Sequence, residues 1–180
     1  MKSNSTQVKT TGFEQAQELA VQIPSMIEKA NESSSAVQLA HRRYGFSIGN
    51  FHFLAPHGVF CELLVDIDIT PLPGAPSHFV GLANHRGNIL PIYTLAPLLG
   101  IASIKSKYAY LLGQPADGAA ILINDKPSLI DLSEAETVDN TQENLPGILE
   151  QCVDFTQADK NTSWHAIKHE SLFRQLANAR

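Results

Sequence analysis

The chain has 180 residues, 43% of them hydrophobic and 17% charged, with a net charge of -5 and a pI near 5.7. A chain of this length buries roughly 70% of the surface its unfolded form exposes, enough for one larger core or two small ones in contact without a disulfide or metal staple. The acidic balance, with no five-residue window rich in Lys or Arg, argues against nucleic acid as a partner, and apolar runs of only a few residues argue against membrane insertion, which needs about 18 to 20.

Residues 1 to 11 are polar and predict a disordered lead. From Gly12 to Ala30, Leu19, Ile23, Met26, Ile27 and Ala30 recur at spacings of three and four, which predicts a helical arm that Pro24 divides or kinks. Such a stripe packs either on the body of the protein or on another protein. Asn31 to Ser35 reads as a linker, so residues 1–40 form a partly helical arm and 41–180 the main domain.

In that domain, Tyr44, Phe46 and Ile48 alternate with polar or small residues, as do Phe51, Phe53 and Ala55 after Gly49-Asn50. A two-residue turn there pairs Ile48 with Phe51, Phe46 with Phe53 and Tyr44 with Ala55, all on one face. Pro56-His57-Gly58 breaks the ladder, and Val59 to Ile67 carries a further segment. The cluster Pro71, Pro73, Gly74 and Pro76 can continue neither a helix nor a central strand, so it forms a shaped crossover. Phe79 to Ala83 and Ile89 to Leu95 are apolar around the polar tip Asn84-His85-Arg86-Gly87-Asn88, which predicts a second hairpin. Thr94 can cap, and Gly100 close, a short helical turn after it.

Beyond Gly100, Tyr108, Tyr110 and Leu112 alternate, Gly113 to Gly118 turns, and Ala119 to Ile123 and Ser128 to Leu132 predict two strands. Ser133 to Asp159 carries seven acids and no Lys, Arg or His, as a solvated loop and strand face or as a surface for a basic partner. Ile148 to Phe155 and Trp164 to Ile167 predict strands, and Leu172, Phe173 and Leu176 give a C-terminal helix an apolar face. Short strands with closely spaced turns suggest small closed barrels.

No nucleophile elbow, phosphate-binding glycine loop or H-E-x-x-H helix is present, and no catalytic, metal or cofactor site is expected. His165 and His169 are four apart, but strand geometry around Trp164 to Ile167 does not bring them together as a helix would. His52, His57 and His78 read as surface groups at turns, while His85 beside Arg86 could make a contact pH-sensitive. Cys61 and Cys152, with no C-x-x-C pair and no secretory start, fit reduced thiols in a cytoplasmic protein. Arg86 has two readings: a guanidinium tying down turn carbonyls, or an anchor at a protein interface.

The stretch PLPGAPSHFVGLANHRGNILPIYTLAPLLG closely resembles the CheW-like domain, with Pro73-Gly74, Gly81, Asn84, Arg86-Gly87, Pro91, Leu95 and Leu99-Gly100 in the family's order and spacing. His85 stands where the family usually has Leu or Val, and Thr94 where it usually has Asp. LAPHGVFCELL at 54 to 64 and the long N-terminal arm resemble the PilI-type adaptors of type IV pilus chemosensory systems.

The resemblance implies a mainly β fold of two SH3-like five-stranded barrels packed about a shared core, with lobe one over about 41–100, lobe two over about 101–180, and terminal helices. It also implies a non-enzymatic adaptor coupling the cytoplasmic tip of a methyl-accepting chemoreceptor to the regulatory domain of a CheA-type histidine kinase, for twitching motility or, alternatively, flagellar chemotaxis, at receptor arrays near the inner membrane. By position, Val59, Glu62, Asn84, His85 and Arg86 are the implied protein contacts. Gly74, Gly81, Gly87, Pro91 and Gly100 are the implied structural residues. A rival from another class is a small-molecule-binding barrel using the groove between lobes.

Overall fold

The computed structural model of the chain describes residues 41–180, apart from 103, 105, 139–144, 160, 161 and 180. The helical arm expected over 1–40 lies outside the described residues. Twelve strands among the described residues form two six-stranded sheets.

The first expected hairpin is β1 (Arg42–Ile48) and β2 (Phe51–Leu54), with Ile48 opposite Phe51 and Phe46 opposite Phe53 as the alternation requires. Phe46, Ile48 and Phe53 are buried, whereas Tyr44 is 55% exposed at the open end. Next come β3 (Cys61–Val65), β4 (Ile69–Thr70), β5 (Phe79–His85) and β6 (Asn88–Tyr93), then the hairpin of β7 (Tyr108–Leu112) and β8 (Ala119–Ile123). The chain continues through β9 (Ser128–Asp131), β10 (Glu136–Val138), β11 (Val153–Asp159) and β12 (Thr162–Ile167). The order is β10-β11-β12-β2-β1-β9 in one sheet and β3-β7-β8-β6-β5-β4 in the other.

The lobes are therefore not divided near residue 100. The first hairpin joins the last four strands through the parallel pairing of β2 with β12, and the β7–β8 hairpin joins β3 to β6 through the parallel pairing of β8 with β6. Each half of the chain is a hairpin followed by four strands, and each hairpin completes the sheet of the other half. The sixth strand in each sheet explains the difference from the expected five.

Strands β7 and β8 read as nearly continuous apolar runs because both their faces are buried. Tyr110, Leu112, Ile121 and Ile123 face a shared core with Phe46, Ile48 and Phe53, while Ala109, Leu111, Ala120, Leu90 and Ile92 line a second core with Leu64 and Ala83. Leu54, Leu132 and Ala166 form the corresponding core of the other sheet. Phe46 of one sheet meets Tyr110 of the other edge to face, with ring centroids 5.4 Å apart.

One expectation about the second half needs correction. Ile148 begins no strand: Gly147–Glu150 is a short helix, α1, entered at Pro146, and β11 starts at Val153. Leu145, Leu149 and Cys152, spaced by four and three, all reach the shared core, and a proline is tolerated at a helix start. Within the acidic region β10 and β11 pair, in keeping with the expected strand face. The C-terminal helix, α2 (His169–Asn178), buries Leu172 and Leu176 as expected. His78, expected at the surface, is 4% exposed: its Nε2 lies 2.8 Å from the Leu176 carbonyl oxygen and its ring stacks on Tyr93, tying the proline crossover to α2. No described helix is long and apolar enough to cross a membrane.

Candidate protein-docking site

The β5–β6 hairpin closes more tightly than its polar tip suggested. His85 pairs with Asn88, so Arg86 and Gly87 alone form the turn. Their φ values are 52° and 82°, the left-handed pair that a type I′ turn requires and that matches the twist of the strands. Asn84 Oδ1 accepts the Gly87 N–H at 3.1 Å. Glycine suits its position, but arginine in the left-handed region carries a steric penalty of roughly 1–2 kcal/mol that Gly or Asn largely avoids. The side chain of Arg86, rather than its backbone, accounts for its presence.

That side chain reaches Glu62 on β3. Arg86 Nη2 donates to Glu62 Oε1 at 2.7 Å, and His85 Nε2 lies 3.2 Å from Glu62 Oε2. Glu62 shares the side of β3 taken by buried Leu64 and sits at the mouth of that sheet's core. The three residues thus clasp the hairpin tip to edge strand β3. Arg86 keeps 63% of its side chain exposed, against 22% for Glu62 and 15% for His85. Asn84 is exposed beside Arg86, and across from it Ile89 is 70% exposed. An open guanidinium, an open amide and an open isoleucine on a rigid turn can serve as a protein contact.

Of the five expected contact residues, the structure brings Glu62, Asn84, His85 and Arg86 together at one tip. His85 is a half-buried partner of Glu62 there, not a free tip residue. Val59 stands apart and lines a cleft with Tyr44, Cys61 and Tyr110. Ile89 was not singled out in the sequence, although its phase opposite buried Leu90 and Ile92 carried the signal.

The expected structural residues lie in turns, at Gly74, Gly87 and Gly100, and in paired strands, at Gly81 and Pro91. Gly81, at the register shift of β5, has φ +152°, and a Cβ there would run into the Thr70 backbone. Pro91 sits opposite Leu82, just before β6 begins its pairing with β8 at Ile92, so its missing N–H removes no bond from that second ladder. Gly74 and Gly100 have φ +75° and +64°. The turn over Ala96–Gly100 is hydrogen-bonded, with Thr94 Oγ1 accepting the Ala96 N–H at 3.3 Å, as a capping threonine should.

Among the described residues, no three His, Cys, Asp or Glu side chains gather as a metal site. His165 is buried, with Nδ1 2.9 Å from Thr156 Oγ1. Burial pushes the thiols of Cys61 and Cys152 and the phenol of Tyr110 up. Hydrogen bonds from Ser133 hold Asp131 down, with Arg42 adding to the effect.

The model of the CheW-like domain matches residues 44–153. The chain belongs to the CheW-like family. It is 36% identical over 84 residues to protein PilI of Pseudomonas aeruginosa, a match covering 46% of this chain and 47% of PilI, so the aligned region spans about half of that relative. This similarity agrees with the PilI-type subtype expected from residues 54 to 64. The scaffolding protein TtCheW from Thermoanaerobacter tengcongensis, 20% identical, superposes with a TM-score of 0.56 over 71% of this chain and 84% of its own, a likeness of fold. The two sheets about a shared core are thus the CheW-like pair of barrels.

Proposed function

We propose that this CheW-like chain is a non-enzymatic adaptor that joins the cytoplasmic tip of a methyl-accepting chemoreceptor to the regulatory domain of a CheA-type histidine kinase in a type IV pilus system for twitching motility. It acts in the cytoplasm, at receptor arrays near the inner membrane. The observation that carries the reading is Arg86, held in an unfavourable turn conformation, anchored by Glu62 and still largely exposed. An anchor of this kind loses little side-chain entropy when a partner packs on it, and preorganisation of that sort strengthens binding without enlarging the interface. The similarity to PilI supports the pilus assignment over the flagellar one.

Reconstitution tests the proposal. Vesicles carrying the receptor's cytoplasmic portion should sediment the kinase only when the adaptor is present, and kinase autophosphorylation should become receptor-dependent. Kinase that sediments equally without the adaptor contradicts the coupling role.

A further inference from the structure

A cleft of about 430 Å3 opens between the Arg42–Tyr44 end of β1 and the Val59–Leu63 segment, away from the hairpin tip. Its volume falls in the range of small-molecule sites, and its wall is largely apolar, including Tyr44, Ala55, Leu63 and Tyr110. On a chain with 18 acids and 13 Lys and Arg, its lining contains two arginines and no acid.

The arginines differ. Arg42 Nε lies 3.5 Å from Asp131 at the surface. Arg43 is half-buried: its Nη2 donates to the Ala55 carbonyl at 2.5 Å and its guanidinium stands 5.4 Å from the centroid of the Phe155 ring. Its Nε is buried with no hydrogen-bond partner among the described residues. Asp154 acts on Arg43 through space but is paired with Lys168 at 3.1 Å. Burial raises the Cys61 thiol and the Tyr110 phenol, so both are neutral near pH 7 and the cleft supplies no anion of its own. The buried Nε is out of a ligand's reach, but Arg43 lines the cleft with no acid opposite it, and a guanidinium pairs best with a carboxylate.

We infer that this cleft binds a small apolar or aromatic carboxylic acid as its anion, the carboxylate on Arg43 and the hydrocarbon body against Tyr44 and Tyr110. The adaptor role does not depend on this site.

Phenylacetate and hexanoate, each against its neutral amide, are the probes, with binding read by calorimetry and by the shift in melting temperature. The full chain should bind at least one acid saturably and its amide about tenfold or more weakly, the loss of one charge-assisted pair. Arg43→Met, which keeps the apolar stem, should lose about tenfold or more in affinity, while Arg42→Met should change it less than about threefold. If Arg43→Met fails to fold by circular dichroism, Val59→Trp, which fills the cleft from its rim, should abolish binding. Failure of the folded wild type to bind either acid, equal binding of acid and amide, or binding unchanged in Arg43→Met or, where it is needed, Val59→Trp would overturn the inference. Kinase-domain binding measured on the same samples separates that failure from failure of the adaptor reading.

Discussion

Arg86 Nη2 and Glu62 Oε1 are 2.7 Å apart although 24 positions separate them in the chain, so the two residues expected to meet partners first meet each other. The pair spans from edge strand β3 to the turn of β5 and β6, and His85 occupies the second carboxylate oxygen. A partner that approaches this tip meets a preassembled clasp.

An ion pair with one member 63% exposed contributes little to folding. Arg86→Ala should change the unfolding free energy by less than about 1 kcal/mol in urea titrations, yet weaken kinase-domain binding about tenfold or more. A loss of stability well above that bound, with binding retained, would make the clasp structural.

The charge-reversed double variant Glu62→Arg with Arg86→Glu separates the two roles further. It keeps an ion pair between strand and turn, so melting temperature should stay close to wild type, whereas partner binding should not recover. Recovered binding would mean that the pair acts only by shaping the turn.

Gly81→Ala should destabilise by about 2 kcal/mol or more, because a Cβ meets Thr70 backbone that cannot step aside and φ is +152°. Gly147→Ala, with open space around its Cβ and no positive φ, should alter stability by less than about 1 kcal/mol. Chemical denaturation of both variants checks the contrast.

Phe46→Ala should cost about 3–5 kcal/mol, since Phe46 is 3% exposed in the core that both sheets share. A double-mutant cycle with Tyr110→Ala should show coupling of about 0.5–1.5 kcal/mol from the edge-to-face contact. Additive effects would mean that the two sheets are not energetically joined there.

Stability should fall in alkali. Thiols and phenols of the unfolded chain ionise near about 8.5 and 10, and burial raises the folded values of Cys61, Cys152, Tyr93 and Tyr110. The folded state then holds more protons than the unfolded state above about pH 8.5, so the contribution is intact below that pH and is lost as pH rises. Urea midpoints measured from pH 7 to 10 should be flat at first and then decline. A rise would contradict the burial of these groups.

Elements made by local alternation were readable from the chain. Ile48 opposite Phe51 and Phe46 opposite Phe53 followed from period two and a Gly-Asn turn, and the wall strands Tyr108–Leu112 and Ala119–Ile123 from their composition. The allotment of strands to sheets was not, because the parallel pairings of β2 with β12 and β6 with β8 join distant segments with no turn between them to mark the partnership. Leu149 and Cys152 were read within a strand from Ile148 to Phe155, but a helical turn at Leu149 is what brings Leu145, Leu149 and Cys152 together in the shared core. At the site, Glu62 and Arg86 were both visible as candidates. Their contact was not, since it depends on the sheet curling β3 back to the hairpin tip.

Calorimetric titration of this protein with the CheW-like regulatory domain of a pilus-system CheA-type kinase, using wild type and Arg86→Glu of proven fold, tests the central claim most directly. The account predicts saturable binding by wild type that Arg86→Glu loses. No saturable heat from folded wild-type protein would contradict it.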